Sequence, residues 1–179
     1  MTKGKLKNVL GDATEPQTTA PNEIVVIPHC CNNKGGWGAG FVLALSKKWH
    51  KPEKRYRDFF NANKTFPMLG KVCYAKVNKY IAIANMIGQD GYKSDTNPKP
   101  VKYWALASAM REVVSYIDMI QNRTNNSVII HCPKFGSDLA GGDWRFILEL
   151  IREIWLENGI DVVVYEFEPD KEKWGEIND

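Results

Sequence analysis

Cysteine is scarce: the chain has 4 in 179 residues, Cys30 and Cys31 are adjacent, and no C-x-x-C pair occurs. Neighbouring thiols make a poor disulfide framework for a chain this size, so reduced thiols and a cytoplasmic setting are expected. No run approaches the roughly 20 apolar residues needed to cross a bilayer. The basic start Met1-Thr2-Lys3-Gly4-Lys5 leads into no apolar leader core, and the expectation is a soluble, unprocessed chain without a membrane partner. Charge of one sign is lacking too. Lys+Arg 24 against Asp+Glu 21 leaves a formal +3, which makes no strong case for direct nucleic-acid binding. No repeat of roughly 20 to 50 residues appears, which excludes solenoids and propellers. The spacing Gly36-x-Gly38-x-Gly40 is not G-x-G-x-x-G, and no Lys-Ser pair closes it, so the dinucleotide fingerprint and the P-loop both fit poorly.

What is present is a hydrophobic content of 44%, enough for one sizeable core, and a single domain over 1–179 is expected. Apolar runs alternate with amphipathic stretches, the mark of βα units feeding a largely parallel sheet. Strands are read at Leu6 to Leu10, Ile24 to Cys31, Val72 to Val77, Tyr80 to Ile87, Ser127 to Pro133 and Asp161 to Phe167. The Ile24-Val25-Val26-Ile27 run lacks alternation, as expected of a strand covered on both faces. The third and fourth strands, joined by Asn78-Lys79, read as a hairpin or two adjoining strands.

Helical spacing appears in Phe41, Val42, Leu45 and Trp49, and again in Tyr56, Phe59 and Phe60 behind a first-turn Pro52. A long helix presents Leu106, Met110, Val113 and Ile117 on one face. A last one presents Trp144, Ile147, Ile151 and Trp155 before Gly159. Gly88 to Pro100 is polar and reads as a mobile surface loop. The tail from Glu168 is charged and is expected to fray apart from Trp174.

Two strand ends each release a glycine-rich loop into a helix, and in open α/β sheets ligands bind beyond the carboxyl ends of the strands. The first loop is Asn32-Asn33-Lys34-Gly35-Gly36-Trp37-Gly38-Ala39-Gly40 before Phe41. The second is Lys134-Phe135-Gly136-Ser137-Asp138-Leu139-Ala140-Gly141-Gly142 before Asp143. Glycine lets backbone approach a phosphate, and the following helix N-terminus supplies amides and a favourable dipole. Two such loops suit a diphosphate better than a single phosphate.

Several side chains keep two readings. Trp37 either anchors the loop from beneath or stacks on a ligand. Asn32 and Asn33 either meet ribose hydroxyls or form turns. Asp12 either accepts from an exocyclic amine or caps the backbone after it. His29 is either a hydrogen-bonded core residue or a proton-transfer group. A metal site is not expected, since adjacent strand residues such as His29 and Cys30 point to opposite faces and zinc spacing is absent.

With Gly11-Asp12-Ala13-Thr14, His29-Cys30-Cys31-Asn32, Gly36-Trp37-Gly38-Ala39-Gly40 and Pro133 to Trp144, the sequence resembles the macrodomain family over nearly its whole length. Within that family it is closest to the ADP-ribose 1''-phosphate phosphatase branch. The resemblance implies a three-layer α/β/α sandwich with a mixed, largely parallel sheet of six or seven strands. It implies that Asp12 contacts the adenine amine, Asn32 or Asn33 the distal ribose, Gly36 to Phe41 the distal phosphate region, and Gly136 to Gly141 the diphosphate, with Ala13, Gly35 and Phe135 also at the ligand. The implied reaction is metal-free, needs no cofactor and removes the 1''-phosphate, with His29, Asn32 and Asp143 as catalytic candidates. The implied partner is ADP-ribose or its 1''-phosphate, or alternatively an ADP-ribosylated macromolecule; the alternative functions are removal of ADP-ribose from protein or nucleic acid, and non-catalytic reading of ADP-ribose. The second loop departs from the family's Gly-x-Gly at Gly136-Ser137-Asp138. The lysine and second-loop aspartate expected of branches that cut ADP-ribose from glutamate are absent from Asn85 to Gln89 and from Leu139-Ala140.

Overall fold

The apolar run after Glu23 forms a strand whose alternate residues feed two separate cores. In the computed structural model, which describes residues 2–18 and 20–167, Val25, Ile27 and Cys31 pack with Val42, Leu45 and Tyr56. Their neighbours Ile24 and Val26 pack with Leu106, Met110, Val113 and Ile147 on the other face. A strand covered on both sides has no polar positions to alternate, which explains its continuous hydrophobicity.

The elements are β1 (Leu6–Leu10), β2 (Ile24–Asn32), α1 (Phe41–Lys48), α2 (Lys51–Ala62), β3 (Val72–Lys76), β4 (Ile81–Gln89), α3 (Tyr103–Thr124), β5 (Val128–Pro133), α4 (Trp144–Leu150) and β6 (Val162–Glu166). The sheet order is β1-β6-β5-β2-β4-β3. All pairs are parallel except β3 with β4, so the mixed, largely parallel sheet expected from sequence is present, with six strands among the described residues. α1 and α2 cover one face and α3 and α4 the other. α4 runs on through a π-helical turn at Ile151–Leu156, and Gly159, at φ 76°, ends it. The tail from Glu168 lies outside the described residues.

Parallel pairing brings the carboxyl ends of β1, β6, β5, β2 and β4 to one edge, in that order. At about 4.8 Å per strand the row from β1 to β4 spans about 19 Å. The segment from Gly88 to Pro100, read from sequence as a mobile loop, is cross-braced. Asp90 N–H donates to Pro100 O (2.8 Å), Lys102 N–H to Gly88 O (2.9 Å), and Asn97 Nδ2 to Asp90 O (2.9 Å). Among the described residues, no helix is long and apolar enough to cross a membrane.

Candidate functional site

The first loop leaves β2 at Asn32, whose side chain shapes it. Asn32 Oδ1 accepts from the amides of Lys34 (2.9 Å) and Gly36 (3.0 Å) and from the Tyr56 hydroxyl (3.0 Å), while Nδ2 donates to Gly36 O (2.8 Å). Trp37 is the loop's second anchor. It is buried, its Nε1 donates to Ser46 Oγ (2.8 Å), and its ring lies 5.3 Å from Tyr56 and edge-on to His29 at 5.6 Å. So Trp37 takes the anchoring role, although it also lines the cleft.

Past Trp37 the chain opens. A Cβ on Gly38 would meet none of the described residues within 4 Å. None of the described residues accepts a hydrogen bond from the amides of Gly38, Ala39 or Gly40. Gly40, at φ 75°, starts α1, whose first amides have no partner within the helix. Together they form a bank of donors with a helix dipole behind it.

The second loop is held by its own backbone. Gly136 turns at φ 71°, Gly142 N–H returns to Gly136 O (3.0 Å), and Ala140 N–H closes on Ser137 O (2.8 Å). The amides of Gly136, Ser137, Asp138 and Leu139 have no acceptor among the described residues. Leu139 reaches across to Gly40, 3.3 Å from where a Cβ there would sit. The two loops therefore face each other over one cleft of about 390 Å³, within the usual range for a small-molecule site.

His29 lies on the floor of that cleft, 2% exposed. Asn85 Nδ2 donates to Pro52 O (3.2 Å), which fixes the amide so that its Oδ1 faces His29 Nε2 at 2.6 Å. A carbonyl oxygen only accepts, so Nε2 carries the proton and Nδ1 is bare. Burial lowers the imidazole pKa to about 4, against the Asn85 contact, which raises it. His29 is therefore neutral at pH 7. It is both hydrogen-bonded in the core and at the cleft. Cys30 also lines the cleft, but burial pushes its thiol up to about 12, which leaves it protonated and a poor nucleophile.

The remaining candidates divide. Phe41 and the stretch Phe135 to Ala140 line the cleft with His29, Asn32 and Gly36 to Gly40. Asn33 does not. Its Nδ2 donates to Asp90 Oδ1 and its Oδ1 accepts from Gly91 N–H, both at 2.9 Å, so it ties the first loop to the β4–α3 connection. Gly35 faces Phe60, 2.8 Å from where a Cβ would sit, and Gly141 backs onto Pro98 O at 2.6 Å.

Asp143 is an exposed helix cap. Its Oδ1 accepts from Arg145 N–H (2.9 Å), and its Oδ2 pairs with the Arg145 guanidinium (3.0 Å); these bonds lower its pKa. It does not line the cleft. Asp12 sits at the β1 end of the row, its Oδ1 accepting from Thr14 N–H (2.8 Å), with Ala13 buried beside it. A larger hollow of about 760 Å³ touches Asp12 but neither glycine loop, running along the face of β1, β6 and β5. The smaller cleft is the better ligand site, because the donor banks converge there.

Sequence reasoning missed Gln89, at the end of β4, and Tyr92 and Lys93 of the β4–α3 connection, all of which line the cleft. The available signal was topological: a strand parallel to β2 and adjacent to it must end at the same edge. Among the described residues no group of three or more His, Cys, Asp or Glu side chains could hold a metal ion.

No family model matches the chain. A protein of unknown function from Bacteroides thetaiotaomicron is 37% identical, with TM-score 0.79, over 90% of this chain and 98% of its own. A macrodomain protein from Streptomyces coelicolor is 36% identical, with TM-score 0.74, over 90% of this chain and 99% of its own. A curated ADP-ribose 1''-phosphate phosphatase from Lodderomyces elongisporus is 27% identical over 129 residues, covering 68% of this chain and 75% of that protein. The strand order, the paired loops at its carboxyl edge and this likeness over nearly the full length agree: the chain belongs to the macrodomain family.

Proposed function

We propose that the chain binds ADP-ribose and removes the 1''-phosphate from ADP-ribose 1''-phosphate. The observation that carries the reading is the pair of opposed loops, each with several amides free to donate toward one cleft. A diphosphate needs such donors on both sides, and backbone amides held in place by Asn32 and by the second loop's own turn cost little to organise on binding. The named phosphatase relative supports the choice of reaction.

In that reaction water attacks phosphorus, the bond from phosphorus to the 1'' oxygen breaks, and the products are ADP-ribose and inorganic phosphate. Negative charge on the equatorial oxygens is met by the loop amides. His29 Nδ1, unprotonated at pH 7, is the group we assign to proton acceptance. An imidazole held near 4 is a weak base, so charge stabilisation by the amides supplies most of the acceleration. Asn32 acts by shaping the loop, and Asp143 takes no direct part. The reading needs no metal or cofactor. A cytoplasmic setting accords with four unpaired cysteines.

Phosphate release from ADP-ribose 1''-phosphate, with His29→Ala as control, tests the reading; tight ADP-ribose binding with no release at high enzyme concentration overturns it. A second reading, removal of ADP-ribose from a macromolecule, gains from Lys93 and Asp138. The sequence placed no lysine at Asn85 to Gln89, yet the cleft receives one four residues later, with a second-loop carboxylate opposite. Release of ADP-ribose from modified protein or DNA identifies that case.

A further inference from the structure

The carboxyl-edge row has a direction. Asp12 stands at its β1 end, the two loops at β5 and β2, and the β4–α3 connection beyond them. A nucleotide sugar laid along about 19 Å of strand ends, with its adenine at Asp12 and its diphosphate between the loops, must bring its far end to β4. There Tyr92 lies against Gly36, so that a Cβ on Gly36 would overlap its hydroxyl and ring. Lys93 follows it into the cleft lining. Among the described residues two lysines line this cleft. Lys134 is paired with Glu166 (2.9 Å), whereas Lys93 has no ion-pair partner among the described residues.

We propose that Tyr92 and Lys93 form the subsite for the terminal phosphate of ADP-ribose 1''-phosphate, and so set the preference for that ligand over ADP-ribose itself. The inference rests on the ligand reading above. The two loops offer amides to the diphosphate and to the near oxygens of the terminal phosphate. A monoester dianion at the open end adds charge that amides alone do not neutralise; an ammonium supplies the rest, and the phenol adds a directional donor. The subsite is organised before the ligand arrives. Asn33 grips Asp90 and Gly91, and Asn97 Nδ2 donates to the carbonyls of Asp90 (2.9 Å) and Tyr92 (3.1 Å), so little loop entropy is lost on binding.

The test compares Kd for ADP-ribose with KM for ADP-ribose 1''-phosphate in the full chain and in Lys93→Met, Lys93→Arg and Tyr92→Phe. Lys93→Met is expected to raise KM for the phosphorylated ligand about tenfold while ADP-ribose Kd moves by less than about twofold. Lys93→Arg should restore most of the loss, and Tyr92→Phe should cost about threefold. Equal weakening of both ligands, or of neither, overturns the subsite. If the wild-type chain binds both ligands but releases no phosphate, the phosphatase reading fails and calorimetric Kd replaces KM. The ratio of the two affinities must then collapse in Lys93→Met, and an unchanged ratio overturns the subsite alone. Binding of neither ligand overturns both.

Discussion

The loop after β2 is held by side chains, and the loop after β5 by its backbone. In the first, one asparagine oxygen gathers two amides and a phenol, and an indole is pinned to Ser46. In the second, a short 3-10 turn and the Gly142 to Gly136 return bond do the work. The strands beneath them differ in parallel. β2 carries His29, engaged by Asn85. β5 carries His131, whose Nδ1 meets the Tyr165 hydroxyl at 2.8 Å while its Nε2 has no partner among the described residues. One loop should therefore fail when a polar side chain is cut, and the other when a glycine gains a methyl.

Acid should attack both foundations, with the largest effect. Burial lowers His29 and His131 to about 4 each. Below the ordinary value near 6.5 an unfolded histidine takes a proton that the folded one refuses, so stability is full above about 6.5 and falls as pH drops toward 4. Each histidine contributes a loss of about 3 kcal/mol over that window. Urea midpoints at pH 7.5 and 5 should differ strongly, and His131→Gln should remove about half of the slope while leaving ADP-ribose binding at pH 7.5 intact. A midpoint flat between those two pH values would contradict the burial of both rings.

Gly142→Ala comes next. Its Cβ would overlap Gly136 O, the very acceptor that closes the turn, and would meet Val101 at 3.1 Å. A loss of about 3 kcal/mol is expected, with ADP-ribose heat abolished in calorimetry. Gly38→Ala in the first loop is the matched control. With none of the described residues near its Cβ, it should leave thermal stability within about 0.5 kcal/mol of wild type. Equal destabilisation by the two would erase the distinction between the loops. Asn32→Ala reverses the contrast: it unties the first loop at a cost of about 2 kcal/mol, and weakened ADP-ribose binding should accompany a modest fall in melting temperature.

The same contrast explains what the sequence revealed. Strands and helices were legible because buried β2 and amphipathic α3 carry their periods openly, and the loops because glycine between a strand and a helix has few other uses. The roles of Asn33, Gly35 and Gly141 were not legible. Each touches a segment distant in sequence, at Asp90, Phe60 and Pro98, and side-chain type alone names no partner. Tyr92 and Lys93 were hidden for a related reason: polar composition makes a braced connection and a mobile loop look alike. His-Cys occurs in both β2 and β5, at His29-Cys30 and His131-Cys132, but the two pairs do not stand level. The ladder pairs Ile24 with Val128 and Val26 with Ile130; continuing that offset sets His131 level with Ile27, short of His29.

The smallest effect concerns Asp138, the residue that departs from the family's Gly-x-Gly. It adopts φ 47°, the left-handed region where glycine is at ease and aspartate is tolerated at a cost of about 1 kcal/mol. The backbone has thus kept the glycine conformation while the side chain has added a carboxylate to the lining of the proposed ligand cleft. Asp138→Gly should relieve the strain and remove the repulsion together, tightening ADP-ribose binding about threefold to tenfold. Asp138→Asn separates the two, since it removes the charge and retains the strained φ. If Asn alone reproduces the gain, electrostatics governs; if only Gly does, the second loop is limited by its backbone, as its construction implies.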